Sequence, residues 1–253
     1  NPNSLIEEWR ERSSSFKNNS TAIGKMELGI PYGDHPREKY DLFLPKKQSR
    51  GTIIFLHGGF WFRTGREHWS FTAQGMLFQN WSVIIPSYPQ APDVKITQIT
   101  HSISKLVYKI LDDCNGSVRM IGHSAGGHLA SRMICKNFLK KNIGKHIDKV
   151  ISVSGLYDLR PLLMTKLNDI LTLNYEEAVH ESCFLYDPID TKLTCWVGAN
   201  ERPEFLRQNR ILTEAWSKKS KNIESYYDPG KDHFSVIDQL EDKESLLTQS
   251  ITK

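Results

Sequence analysis

From about residue 38 the chain alternates short β-branched runs with longer stretches of helical spacing, and this alternation restricts the fold more than any other feature. Lys39–Leu44, Thr52–Leu56, Ser82–Pro86, Val118–Ile121, Lys149–Val153, Leu193–Val197 and Ile223–Tyr227 read as strands. Glu67–Gln79, Thr97–Asp112, Gly126–Asn137 and Pro203–Lys218 read as helices, with another around Val236–Ser250. The stretch at 97–112 is the clearest, because Ile96, Ile99, Ile103, Leu106, Val107 and Ile110 form one stripe. A parallel neighbour strand cannot be reached by a tight turn, so strands separated by helices imply crossover connections. The expected fold class is therefore α/β, a mostly parallel central sheet with helices on both faces. No linker divides the chain, so residues 1–253 are expected to form a single domain. Residues 1–20 read as an N-terminal helical extension, with a helix around Ser4–Arg12 and then a polar connection. Ligands on such sheets bind beyond the carboxyl ends of the strands. That directs attention to the loops after Leu56, Ile121, Val197 and Tyr227.

Composition narrows the class of partner. Hydrophobic residues make up 39% of the 253 and charged residues 25%, enough apolar mass for a core and too much for a disordered, collagen-like or coiled-coil chain. The longest apolar runs, such as Ile53–Leu56 and Val83–Pro86, fall far short of the roughly 18 residues of a membrane span. No membrane partner is expected. The net charge of +4 is dispersed. Its densest cluster, Lys136 to Lys145, reads as the solvated end of a helix and its loop, and no nucleic-acid partner is expected. Cys114, Cys135, Cys183 and Cys195 have neither CxxC nor His–Cys ligand spacing, so they read as reduced packing thiols and no metal is expected. The start, Asn1-Pro2-Asn3-Ser4, has neither an initiator Met nor a secretion-signal pattern. A cytoplasmic location is the expectation, and whether this start is native stays open, as does a homodimer.

Two loops carry motifs. After Ile121 the chain reads Gly122-His123-Ser124-Ala125-Gly126, which fits G-x-S-x-G. So tight a strand-to-helix turn needs small residues around the serine, which then projects its hydroxyl. Alone the pattern is weak, but here a β-branched strand precedes it and an Ala/Gly-rich helix start follows. After Leu56 the chain reads His57-Gly58-Gly59-Phe60-Trp61. Glycines there let backbone amides approach a developing oxyanion. The expected donors are the amides of Gly59, Phe60 and Ala125.

A serine nucleophile needs a base, and the base an orienting acid, in the chain order Ser, acid, His. Of the histidines after Ser124, His128 lies on the helix leaving the turn, His146 in a Lys-rich loop and His180 in a polar helical stretch. Only His233 follows the last strand, so it is the expected base. Glu201 is the first acid after the strand Leu193–Val197 and is the expected acid. Asp158 is its rival, although a structural cap is the commoner role at such a place. Glu204 suits the start of a helix, and Asp232 suits hydrogen bonding within its loop.

Taken together, His57-Gly58-Gly59-Phe60-Trp61, Gly122-His123-Ser124-Ala125-Gly126-Gly127-His128-Leu129-Ala130 and Ser154-Gly155-Leu156-Tyr157-Asp158-Leu159 resemble the kynurenine formamidase (arylformamidase) group of α/β-hydrolases. So do Val197-Gly198 with Pro203-Glu204-Phe205, Asp232-His233-Phe234, and Tyr32-Gly33-Asp34 with Tyr40-Asp41 and Pro45. The resemblance runs from about residue 32 onward. It implies the α/β-hydrolase fold, hydrolysis of N-formyl-kynurenine to kynurenine and formate, no metal or cofactor, and Ser124, Glu201 and His233 as the triad. One departure matters: the animal enzymes of that group carry Asp where Glu201 stands. This suggests a sister group whose substrate need not be formyl-kynurenine.

A small-molecule acyl substrate is expected in either case, with Trp61, Gly58, His57 and Phe234 as candidate contacts. Trp61, Phe60 and Phe234 suit a slot for an aryl group, while Trp61 suits equally well a packed position beneath its loop. Arg63 suits a substrate carboxylate, or solvent. The leading function is an aryl formamidase. The alternative is a general carboxylesterase for short acyl esters, which the same motifs serve. A hydrolase fold kept only for binding is disfavoured, since all three triad residues are present.

Overall fold

The computed structural model describes residues 2–114, 116–138 and 146–253. The elements run α1 (Pro2–Asn19), β1 (Ile23–Pro31), β2 (Lys39–Pro45), β3 (Gly51–Leu56), α2 (Gln74–Phe78), β4 (Ser82–Pro86), α3 (Ile96–Asp113) and β5 (Ser117–His123). They continue with α4 (Ala125–Arg132), β6 (Ile147–Val153), α5 (Asn168–Leu171), α6 (Tyr175–His180), β7 (Lys192–Gly198), α7 (Pro203–Ser217), β8 (Ile223–Asp228) and α8 (Leu246–Thr252). The strand order is β1-β2-β4-β3-β5-β6-β7-β8. β2 is antiparallel to β1 and β4, and every other pair is parallel. Pairing of Leu56 with Gly122, Gly122 with Ser152 and Ser152 with Cys195 brings the carboxyl ends of the central strands to one edge of the sheet.

Alternation along the strands builds two cores. Ile54 and Leu56 of β3 belong to one core with Ile99 and Ile103 of α3, Leu129 of α4 and Trp216 of α7. Ile53 and Phe55 face the other way, onto Trp9 and Phe16 of α1, Met76 of α2 and Ile251 of α8. Central strands buried on both faces read as continuous apolar runs, which is why they are legible in sequence. α4 is further anchored by a buried ion pair: Arg132 Nε lies 3.2 Å from Glu181 Oε2, which also accepts from Thr100 Oγ1 of α3 at 2.8 Å.

Several elements depart from expectation. β1 was not foreseen, because it is an edge strand with mostly exposed residues and no alternating burial. α1 runs on to Asn19, since Trp9, Ser13 and Phe16 continue one buried stripe. The helix expected at 67–79 is instead two 3₁₀ turns, Arg66–His68 and Ser70–Ala73, followed by α2. Ser70, Phe71, Thr72 and Ala73 are all buried, so this segment has no polar face of the kind a surface helix shows. The helix expected at 236–250 divides into a 3₁₀ turn, Ile237–Glu241, and α8, whose N-cap Ser245 Oγ accepts from the Thr248 amide at 3.1 Å. α4 ends at Arg132, short of Asn137, where Cys135 turns to bridge Pro188. Residues 139–145 of the basic cluster lie outside the described residues.

Candidate active site

Steric crowding dictates the turn between β5 and α4. A Cβ on Gly122 would lie 2.1 Å from the Gly126 carbonyl oxygen, and one on Gly126 would lie 1.9 Å from that of Leu56. Neither position admits a side chain. Ser124 between them has φ 55° and ψ −116°, a conformation costing an L-residue on the order of 1–3 kcal/mol. It is held there by its amide, which donates to the Val153 carbonyl at 2.8 Å. The strain aims the hydroxyl off the end of the sheet.

The loop after β8 brings His233 to that hydroxyl. His233 Nε2 lies 3.2 Å from Ser124 Oγ, and His233 Nδ1–H donates to Glu201 Oε2 at 2.7 Å. The Glu201 side chain is fully buried. Its Oε1 accepts from the Gly198 amide at 2.9 Å and from Ser154 Oγ. With three donors around it, this carboxylate is fixed in position. The Phe205 ring stacks on the imidazole at 4.1 Å. The other acids are engaged elsewhere. Asp158 pairs with Arg160 at 2.7 Å and Arg207 at 3.6 Å, and Glu204 with Arg207 at 2.7 Å. Asp232 accepts from the Phe234 and Ser235 amides at 2.9 and 2.8 Å and so shapes the loop carrying His233. His128 is buried between the Trp61 indole N–H at 3.3 Å and the Glu181 carbonyl at 2.9 Å. His180 is half exposed beside Glu181.

The loop after β3 doubles back on itself. Gly59, Phe60 and Trp61 have φ of 109°, 56° and 63°, so that the Arg63 amide reaches the Gly59 carbonyl at 2.7 Å. A Cβ on Gly59 would lie 2.2 Å from the Arg63 carbonyl oxygen, and only glycine fits. Among the described residues, the Gly59 and Phe60 amides have no protein acceptor. Ala125, as the first residue of α4, has no partner for its amide within the helix. Three donors from two loops therefore remain available near Ser124.

A cavity of about 480 Å³ opens onto Ser124 and His233. Phe60 and Phe234 line it. Trp61, His57 and Gly58, the other expected contacts, are not among its lining residues. The backbone reversal turns the Trp61 indole inward, where it is 1% exposed and packs edge-on to His128 at 5.3 Å. His57 is buried and stacked on Tyr88 at 4.3 Å. Gly58 is buried too, and a Cβ on it would lie 3.0 Å from the His123 carbonyl oxygen and 3.1 Å from the Ser124 Cβ.

No family model matches the chain. Curated relatives do: kynurenine formamidases of Danio rerio, 29% identical, and of Salmo salar, 30% identical, each over 239 residues. These alignments cover 89% of this chain and 80% and 81% of the fish proteins. The chain belongs to the kynurenine formamidase family. A solved structure from Silicibacter sp., provisionally described as a thioesterase, is 37% identical with a TM-score of 0.92, over 99% of this chain and 93% of its own. A hyperthermophilic esterase from Pyrobaculum calidifontis has a TM-score of 0.78 at 15% identity, over 100% and 93%. This member of the kynurenine formamidase family is thus a hydrolase with the α/β-hydrolase fold, for small acyl or formyl groups.

Sequence reasoning missed part of this family member's pocket wall. Leu5, Ile6 and Trp9 of α1 reach it from the far end of the chain, and Trp69, Phe205 and Arg202 complete it. The Trp9 ring lies 4.5 Å from that of Trp69 and 6.1 Å from that of Phe234. The available signal was the stripe Leu5, Trp9, Ser13, Phe16, at the spacing of a helix with a face to bury. Ser154 was missed as a partner of Glu201 because the two lie 47 residues apart, past the ends of different strands, β6 and β7, and nothing local links them.

Three buried histidines surround the site. Burial pushes His57 and His128 down from 6.5 to about 4. Burial and the charge of His233 push His123 down to about 3. His123 is held neutral while its Nε2–H donates to the His233 carbonyl at 2.8 Å. In the unfolded chain all three take up protons near pH 6.5, before the folded state does. Their contribution to stability is therefore full above that value and is lost as pH falls toward about 4 and 3. Urea unfolding should give a stability that declines below about pH 6.5, by about 1 kcal/mol per pH unit for each histidine. A flat profile between pH 7 and 5 would contradict this assignment.

Proposed function

We propose that this hydrolase cleaves an aryl formamide, N-formyl-kynurenine or a close analogue, through an acyl-enzyme formed on Ser124. The observation that carries the reading is the continuous relay from Ser124 Oγ through His233 to Glu201, at 3.2 and 2.7 Å. His233 takes the Ser124 proton as Oγ attacks the formyl carbon. Glu201 holds the imidazole in the tautomer whose Nε2 is free to accept, and stabilises the imidazolium that forms. The Gly59, Phe60 and Ala125 amides take the charge that grows on the carbonyl oxygen. His233 then delivers its proton to the departing aniline nitrogen, and water repeats the sequence to release formate. The aromatic wall, Trp9, Trp69, Phe60, Phe205 and Phe234, suits an aryl leaving group.

The Silicibacter similarity supports a second reading, hydrolysis of small acyl esters or thioesters at the same serine. The deciding experiment compares turnover of N-formyl-kynurenine with that of p-nitrophenyl acetate. The formamidase reading expects kcat/KM above about 10⁴ M⁻¹s⁻¹ on the formamide, within the ordinary enzyme range. Ester turnover with no formamide turnover would select the second reading and leave the relay in place.

A further inference from the structure

The cavity wall is apolar and aromatic around Ser124 and His233, and it contains no aspartate or glutamate. It does contain two arginines, Arg63 and Arg202. Among the described residues neither makes an ion pair or a side-chain hydrogen bond, and Arg63 only lies over the Phe62 ring at 5.5 Å. Other arginines on these segments are placed differently. Arg66 is engaged by Asp41 at 2.8 Å, Arg160 by Asp158 at 2.7 Å and Arg207 by Glu204 at 2.7 Å. Both arginines that border the cavity are thus uncommitted.

Both are tied to reacting elements through the backbone. The Arg63 amide closes the turn at Gly59, and Arg202 follows Glu201 and caps α7. Their parent strands, β3 and β7, lie on opposite sides of β5 in the sheet, so the two cations flank the serine turn. Both are exposed at the mouth of the cavity, and two positive charges beside a wall that carries no acid offer an anion an attraction that salt screens. The planar guanidinium matches a carboxylate in particular.

We infer that Arg63 and Arg202 select substrates whose aryl group carries a carboxylate, so that the hydrolase takes anionic aromatic acyl compounds in preference to neutral ones. The inference rests on the proposed acyl chemistry at Ser124 for its biological meaning, but the recognition can be read without turnover. Benzoate and benzamide differ mainly in charge. Their binding can be titrated by the fluorescence of Trp9 and Trp69 in the wall, in the wild-type chain and in Arg63→Gln, Arg202→Gln and the double variant. Benzoate should bind the wild type about tenfold more tightly than benzamide, by a margin that shrinks as salt is raised. Each single variant should reduce that ratio at least threefold, and the double variant should bring it near one. Being a ratio within one preparation, it does not depend on the fraction of protein folded. A ratio near one in the wild type, or one retained in the double variant, overturns the inference. Turnover of 2-formamidobenzoate against formanilide separates the two readings. Equal binding with serine-dependent turnover removes the arginine role alone. Benzoate preference with no turnover of either compound removes the acyl chemistry alone.

Discussion

Ser124→Ala is expected to lower kcat on the preferred substrate by about 10⁴- to 10⁶-fold while changing KM little. The substitution deletes the one atom 3.2 Å from His233 Nε2. His233 and Glu201 are then left with no proton to move, and only the amides of Gly59, Phe60 and Ala125 remain to stabilise charge. Because these donors and the cavity survive, a small residual rate above that in water is expected rather than none. Alanine at φ 55° is strained as serine is, so the thermal midpoint should stay close to that of the parent chain. The measurement is kcat, alongside labelling by a fluorophosphonate, which should vanish in the variant. Retention of a tenth of the parent rate would remove Ser124 from the mechanism.

Glu201→Gln should be nearly as damaging, by about 10³- to 10⁴-fold in kcat, the scale seen when the acid of such a relay loses its charge. The amide can still fill the volume and accept from the Gly198 amide, which now bonds Oε1 at 2.9 Å. What it cannot do is accept from Nδ1–H as a carboxylate does. If the amide NH₂ turns toward His233, it forces the proton onto Nε2, where it faces Ser124 and blocks proton abstraction. Glu201→Asp keeps the charge but falls one methylene short of the 2.7 Å contact with His233, and should lie between the two. A Gln variant as active as the Asp variant would show that charge at 201 is not required. The assay is kcat for all three chains on one substrate, with circular dichroism to confirm folding.

The legible parts of the site share one property. Gly122 and Gly59 stand where a Cβ would strike backbone only four residues along, so the local chain marks them, and the G-x-S-x-G pattern marks Gly126, whose Cβ would strike the Leu56 carbonyl of a neighbouring strand. Glu201 and His233 are the first suitable acid and the only suitable histidine after late strands, and strand ends in this topology converge on one edge. The buried strands were readable for a related reason: a run such as Ile53–Leu56 is apolar because both of its faces are covered. Trp61 was not resolvable in this way. Its side chain could point to solvent, substrate or core, and the choice depended on the positive φ values at 60 and 61. The breaks within 67–79 and 236–250 were hidden too, since the segment at 70–73 is buried on every side and so shows no helical stripe.

By itself, then, the amino-acid sequence determined the α/β class and the turn that carries Ser124, and it singled out Glu201 and His233 as candidates to serve that serine, because turn chemistry and hydrophobic periodicity act over a few neighbouring residues. The tertiary structure alone decided that Ser154 holds Glu201, that α1 walls the cavity with Trp9, that Trp61 lies inside the core and that Arg63 and Arg202 border the same space. These are contacts between segments up to about two hundred residues apart, and no local preference encodes which of them meet.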